Sequence, residues 1–310
     1  MIRLIAFLLL CVSTSAKAVD AGSGVEPATY PINFDVPETS PLEFRGGLVV
    51  RPPFQGFGGL SGLSLINSRS AVLVSDRGAW VEMDVQIENG RLIGLSNLRM
   101  QPILNAEGAP VDEGAQDSED LTWDPRSGAF WISFEGDHRI WRVPGVGGLP
   151  SETIRHPAWE TFSSNTGIEA LARDDLGRLW AVREASSDYA RPFPVFIWDG
   201  RGFNEKLLPR LSKHMVTGAD FGPDGWLYIT ERKFSFTSGF EIRLRRLKYG
   251  DGKEPIADET LLEMPAASNI DNIESIDVWR ENEETLILIA SDDNLFLLQR
   301  NVFALFAIKD

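Results

Sequence analysis

A chain with a single cysteine cannot close a disulfide on itself, and the 310 residues here contain only Cys11. Histidine is almost as scarce: His138, His156 and His214 are the whole supply of imidazole bases. Positive charge is also short, 30 Lys and Arg standing against 45 Asp and Glu for a net charge of −15. That balance repels nucleic acid and anionic lipid, and it disfavours a polyanionic substrate unless a bound cation reverses the sign locally. It favours cations, including calcium. No segment carries a long 3.6-residue apolar period, so helices should be rare.

What is present begins at the N-terminus. Arg3, the nine-residue apolar run Leu4 to Val12, and the small-residue ending Ala16-Lys17-Ala18 have the order of a secretory signal peptide, with cleavage expected after Ala18. Nine apolar residues are too few for a transmembrane helix, which needs about 20. Leu10, ahead of Cys11, is not the small residue of a lipoprotein signal. Cleavage would remove the only cysteine together with Arg3 and Lys17, taking the charge from −15 to −17. Stability must then come from the core, for which 43% hydrophobic residues suffice. The expected organisation is a signal peptide over 1–18, an extension over 19–41 and one domain over 42–310, in a periplasmic or secreted, monomeric protein.

One phrase returns five times: Leu60-Ser61-Gly62-Leu63, Ser118-Glu119-Asp120-Leu121, Gly167-Ile168-Glu169-Ala170, Val216-Thr217-Gly218-Ala219 and Asn272-Ile273-Glu274-Ser275. With Gly62, Glu119, Glu169, Gly218 and Glu274 taken as equivalent, the steps are 57, 50, 49 and 56 residues, close to one four-stranded propeller blade each. Turn signals such as Asp124-Pro125-Arg126-Ser127-Gly128 and Gly222-Pro223-Asp224-Gly225 follow the phrase, and then come short apolar runs expected as second and third strands. The fold expected is an all-β propeller. The last repeat stops after its third strand, and Leu42 to Val50 belongs to no blade, so that N-terminal strand should complete the last blade and close the ring. Five blades follow from the count, with six, assembled from Tyr30 to Arg51 and the insertions, as the alternative.

First strands of blades line the channel, so Glu119, Glu169 and Glu274 should converge. Carboxylates crowded together resist ionisation unless a cation lies between them, and oxygen donors suit calcium or magnesium. The alternative is that each glutamate pins a neighbouring blade by hydrogen bonds to its backbone. Gly62 and Gly218 would leave room for water or substrate. A second ring is expected after the second strands, from Asp76, Arg77, Glu135, Asp137, His138, Arg139, Glu184, Glu231, Arg232, Lys233, Asp292 and Asp293, with salt bridges between blades as the alternative role. Within it Glu135, Arg77, Arg139 and His138 are the catalytic candidates, and Asp76, Arg232, Lys233 and Asp292 the substrate-binding ones. A Ser-His-Asp triad has no support, because no G-x-S-x-G elbow is present. His156 and His214 look like loop or surface residues. The nine tryptophans follow the repeat and should pack between blades, with sugar stacking an alternative for Trp80 or Trp159.

Several of these segments together resemble the phytase-like family described as having esterase-like activity: Phe57-Gly58-Gly59-Leu60-Ser61-Gly62-Leu63, Ser75-Asp76-Arg77-Gly78, Glu119-Asp120-Leu121, Phe134-Glu135-Gly136, Gly167-Ile168-Glu169-Ala170-Leu171 and Asn272-Ile273-Glu274 with Ser291-Asp292-Asp293-Asn294. Glu274-Ser275 stands where the family pattern often reads Glu-Gly. The resemblance implies an exported propeller that hydrolyses phosphate or carboxylic esters with the help of a divalent metal, calcium by expectation. The chain has no lysine-rich channel of the kind that holds phytate. A non-catalytic propeller binding a ligand or protein in the cell envelope, and a lactonase-like propeller, are the other readings.

Overall fold

The computed structural model describes residues 24–54, 56–163, 166–184, 188–235, 239–265, 272–292 and 300–309. Cys11 and Ala18, and Asp293 and Asn294, lie outside the described residues. Among the described residues, twenty-one strands form five sheets arranged as a five-bladed propeller. Strands β1 (Thr29–Ile32) and β2 (Leu42–Val50) precede the first blade, which is built from β3 (Leu60–Asn67), β4 (Ser70–Ser75), β5 (Ala79–Glu88) and β6 (Arg91–Pro102). The second blade is β7 (Ser118–Asp124), β8 (Ala129–Phe134), β9 (Arg139–Val143) and β10 (Glu152–Ile154). The third is β11 (Ile168–Arg173), β12 (Leu179–Arg183), β13 (Phe193–Trp198) and β14 (Phe203–Leu208). The fourth is β15 (Met215–Phe221), β16 (Leu227–Ser235), β17 (Gly239–Tyr249) and β18 (Pro255–Met264). The last blade takes β19 (Asn272–Glu281), β20 (Glu284–Asp292) and β21 (Asn301–Ile308) from the C-terminus and completes itself with β2, then β1, from the N-terminus.

The apolar residues explain why the ring closes at five. Among the described residues there are five buried clusters, each between two neighbouring blades. One joins Leu73 and Val81 to Leu288 and Phe303, another Trp80 to Ile132 and Phe134, and a third Trp159 and Ile140 to Leu171 and Phe196. The remaining two join Trp180 to Leu227 and Ile229, and Tyr228 to Ile276 and Phe306. Alternating residues of each twisted sheet therefore have a hydrophobic partner on both flanks, and no blade is terminal. The tryptophans sit where the repeat placed them: Trp80 meets Phe130 edge-on at 5.3 Å and Trp180 meets Phe221 at 5.1 Å, each pair bridging two blades. Trp80 is 0% and Trp159 1% exposed, so neither can stack on a sugar.

Helix is confined, among the described residues, to one 3-10 turn, Pro157–Thr161, whose first N–H groups are capped by His156 through its Nδ1, 3.1 Å from the Ala158 N–H. No helix in the described residues is long and apolar enough to cross a membrane.

Candidate active site

Each first strand carries a β-bulge at the same place. In β11 the register to β12 passes from Ile168↔Arg183 to Ala170↔Val182, leaving Glu169 without an opposite number. The equivalent skips leave Thr217 in β15 and Glu274 in β19. In β3 and β7 the skip spans Ser61-Gly62 and Glu119-Asp120. A bulged residue is released from the ladder and turned toward a new direction, which is how a strand aims a functional side chain. Leu60, Ser118, Ile168, Val216 and Ile273 pair with the equivalent residues Ser75, Phe134, Arg183, Glu231 and Ser291. The equivalent ring is therefore Ser61, Glu119, Glu169, Thr217 and Glu274.

This corrects the expected alignment by one residue in two blades. Gly62 and Gly218 lie one position further along, and they do not leave space for substrate. A Cβ on Gly62 would stand 2.4 Å from the Leu121 nitrogen, and one on Gly218 3.1 Å from the Glu274 carbonyl oxygen, so both glycines let the next blade's first strand approach.

The residue just after the paired second-strand position forms the outer ring: Asp76, Glu135, Glu184, Arg232 and Asp292. Four carboxylates and one guanidinium share this ring. Arg232 donates a close hydrogen bond to Glu274, with Asn272 bonded to both, and its other terminal nitrogen lies 3.7 Å from Glu184. On the opposite side of the mouth Asp117, Glu119 and Glu135 bring carboxylate oxygens within 4.8 Å of one another. Asp117 is in hydrogen-bond contact with Glu119, and Glu135 with Glu169. Glu135 also accepts from the Gly167 N–H at 2.8 Å, tying the second blade to the third.

Carboxylates this close cannot all be ionised without a cation. Burial, then the neighbouring Glu169, Asp117, Glu135 and Glu274, push Glu119 well above the ordinary carboxylate range. Burial and Glu184 do the same to Glu169, against the pull of Arg232. Burial, followed by Asp117, raises Glu135 to about 7. Glu274 is raised by burial to about 8 although Arg232 draws it back. Burial alone would lower Arg232, but Glu274, Glu169, Glu184 and Glu119 outweigh it and hold the guanidinium charged.

The other candidates from the sequence are placed differently. Asp76 and Arg77 stand half-buried at the end of β4, the Asp76 N–H bonded to the Gly59 carbonyl at 2.9 Å. Asp292 closes β20 opposite Asn272 and is buried. Arg139 is 3% exposed, its guanidinium 4.0 Å over Phe134 and 4.3 Å over Trp141, and its charged neighbours are Asp137 and Arg155. His138 bonds through Nε2 to the Ser163 carbonyl at 3.0 Å. Lys233 pairs with Glu241 at 2.8 Å, and Asp137 with Arg155 at 2.6 Å. Glu231 is turned into the fourth blade, where Arg245 at 2.6 Å and Arg243 at 3.3 Å neutralise it. His214 is buried beside Ser212 at 2.6 Å, not at the surface.

Asp117 escaped the sequence reading because it precedes the repeated phrase. The acidic string Asp117-Ser118-Glu119-Asp120 was its only signal. The pinning role considered for the glutamates falls largely to aspartates instead. Asp120 accepts from the Leu171 N–H at 2.7 Å, Asp220 from Val278 at 2.7 Å and Asp277 from Leu65 at 2.9 Å, each reaching the next blade.

A propeller with a carboxylate-lined mouth is thus the class that fold and site define. Residues 55–295 match the family described as phytase-like, esterase-like activity of phytase, and the chain belongs to that family. Among solved structures it is similar to the alpha-L-arabinofuranosidase PaAbf62A from Podospora anserina, solved in complex with cellotriose, with 12% identity over 89% of this chain and 98% of that one and a TM-score of 0.52. It is also similar to a luciferin-regenerating enzyme, at 11% identity, coverage of 80% and 92%, and a TM-score of 0.42, and to a glucose dehydrogenase, at 13%, 87% and 99%, and 0.39. At such identities the likeness concerns the fold alone. The sequence matches no curated protein.

Proposed function

We propose that this protein is a divalent-metal-dependent hydrolase of phosphate or carboxylic esters. The observation that carries the reading is the convergence of Asp117, Glu119 and Glu135 within 4.8 Å at the channel mouth. Membership of the phytase-like family supports it. The donor set is oxygen only, which fits a hard cation such as calcium or magnesium, and the raised carboxyls are those expected of groups built around a positive charge. When bound, such a cation polarises an ester oxygen and makes a coordinated water more acidic.

The chain's own residues supply the rest. Asp117, Glu119 and Glu135 would hold the cation, and Glu169, in contact with Glu135, would orient the water and take its proton. The terminal nitrogen of Arg232 not engaged by Glu274 and Asn272 would receive the substrate's anionic oxygen and steady the charge that builds there. Asn272, Glu184 and Glu274 hold that guanidinium in place. The substrate in this reading is a small ester, since Arg232 is the one cation in the outer ring of five.

The expected result is that EDTA treatment of the mature protein abolishes hydrolysis of p-nitrophenyl phosphate or acetate, and that restoring calcium, magnesium or manganese recovers it together with a higher melting temperature. Glu169→Gln should lower kcat by about 10²–10⁴-fold. Full turnover in EDTA, or in Glu169→Gln, would sink the proposal. We also place the protein in the periplasm or outside the cell, on the strength of the leader ending at Ala18. Terminal sequencing of the expressed protein should then begin at Val19, and an intact Met1 would count against export.

A further inference from the structure

A cavity of 1190 Å³ opens at the opposite end of the channel from the carboxylates. Its inner part is lined by Ser64, Thr122, Asp220 and Asp277 from the first strands. From there it runs outward between the third and fourth blades, reaching Glu205 on β14 and Asp251 beyond β17. Along β7, Trp123 at this end lies four residues from Glu119 at the other, about 13 Å at the rise of a strand. Between them Asp120 links the first strands of three blades. It is 2% exposed, accepts from the N–H groups of Leu121 at 2.8 Å and Leu171 at 2.7 Å, and is also bonded to the Ala219 backbone.

Five aromatic side chains line the cavity, and three of them, Trp123, Phe221 and Trp279, come from three different blades, with Trp180 packed against Phe221 and Tyr249 against Trp180. All three are half-buried. That separates them from Trp80 and Trp159, which the cores between blades cover almost completely, and from Trp180, which reaches the cavity wall but is 2% exposed. Most of the cavity's cations are already matched, Arg126 by the Asp175 carbonyl at 2.5 Å, while Lys253 on the exposed rim lies 3.9 Å from Glu205. Arg173 lies 2.8 Å from Asp124 and Arg178 2.6 Å from Asp174, while Lys206 donates to the Gly250 and Gly252 carbonyls and Lys248 to that of Asp224. An anionic ligand would have to displace these partners. An apolar ligand would bury a polar rim without satisfying it.

We propose that this cleft binds a neutral oligosaccharide, at a site distinct from the ester-hydrolysing mouth. A sugar ring offers a C–H face to an aromatic side chain and an edge of hydroxyls that both donate and accept. Paired carboxylates and cations around half-exposed indoles match both surfaces. The elongated shape, from the axis to the rim, suits several sugar units in a row.

The test is calorimetric titration of the mature protein with maltotriose, xylotriose and chitotriose, with inorganic phosphate as the charged control. Saturable binding of at least one sugar is expected. Trp279→Ala should weaken it about tenfold or more, Trp279→Phe should keep most of it, and Glu119→Gln at the far mouth should leave it unchanged. If Trp279→Ala fails to fold, Glu205→Ala on the exposed rim replaces it and should weaken binding. No saturable heat from any of the three sugars would overturn the proposal. So would sugar binding indifferent to these cleft substitutions, or displacement of the sugar by phosphate.

Discussion

Glu274 and Arg232 form the clearest case of one side chain setting the condition of another. The guanidinium remains charged because carboxylates surround it, and Glu274 still holds its proton up to about pH 8 because burial outweighs the attraction of Arg232. An unfolded glutamate releases that proton near 4.5. Between those two values the folded protein binds more protons than the unfolded chain, so stability is greatest below the window and falls as pH rises through it. Glu135, raised to about 7, acts in the same direction. Metal-free protein should therefore lose melting temperature steadily from pH 5 to pH 8. In Glu274→Gln that loss should be smaller, by on the order of 2 kcal/mol across the window. Parallel melting curves for the two proteins would show that Glu274 does not carry the effect. At this scale the sequence was readable where the repeated phrase held a glutamate, at Glu119, Glu169 and Glu274. It misled at Gly62 and Gly218, because a bulge puts two residues where the partner strand has one, and spacing alone cannot say which of the two is released. The roles of Arg139 and Lys233 were hidden for another reason. Charge in a turn says nothing of whether Phe134 and Trp141, or Glu241, will claim it.

Strands were far more legible than side-chain roles. The second and third strands expected over Ala129 to Phe134 and Arg139 to Val143 are β8 and β9 to the residue. Period-two apolar runs bounded by Gly and Pro leave little choice when both flanks are buried. The closing strand was legible by elimination, since β21 needed a neighbour and Leu42 to Val50 had none. In the structure β2 pairs with β21 from Leu42↔Ile308 to Val50↔Asn301. The same segment is fastened to the fourth blade, where the Ser40 hydroxyl donates to the Leu261 carbonyl at 2.7 Å. β1 was not foreseen as a strand, because Thr29–Ile32 is short and interrupted by Pro31; it lies on the outer edge of β2 and buries little. A protein shortened to begin at Asn33 should therefore melt within a few degrees of the full mature chain. One beginning at Arg51 would leave β21 as an open edge with Val302, Phe303 and Phe306 uncovered, and it should aggregate or unfold. Size-exclusion chromatography with thermal unfolding distinguishes them, and a monomeric, cooperatively folded Arg51 form would refute the closure argument.

At the scale of the whole molecule the ring replaces the disulfides that the sequence lacks. Five cores between blades, and the backbone pins from Asp120, Asp220 and Asp277, make every blade the neighbour of two others, so loss of one interface opens all of them. The chain carries −15 over 310 residues; among the described residues, carboxylates converge without matching cations at one mouth, while at the other Asp124 and Asp174 are paired with arginines. Composition announced the first of these and not the second, because pairing depends on which turns meet across the channel.

The recurring bulge has a consequence for how such a molecule can change. Ser61, Glu119, Glu169, Thr217 and Glu274 all occupy positions that the ladder does not use. A change there leaves strand pairing untouched, although Ser61 and Thr217 also hold buried hydrogen bonds to Ser118 and Thr230. The same architecture can thus exchange an acid for a hydroxyl, blade by blade, and acquire a new chemistry without having to solve the folding problem again.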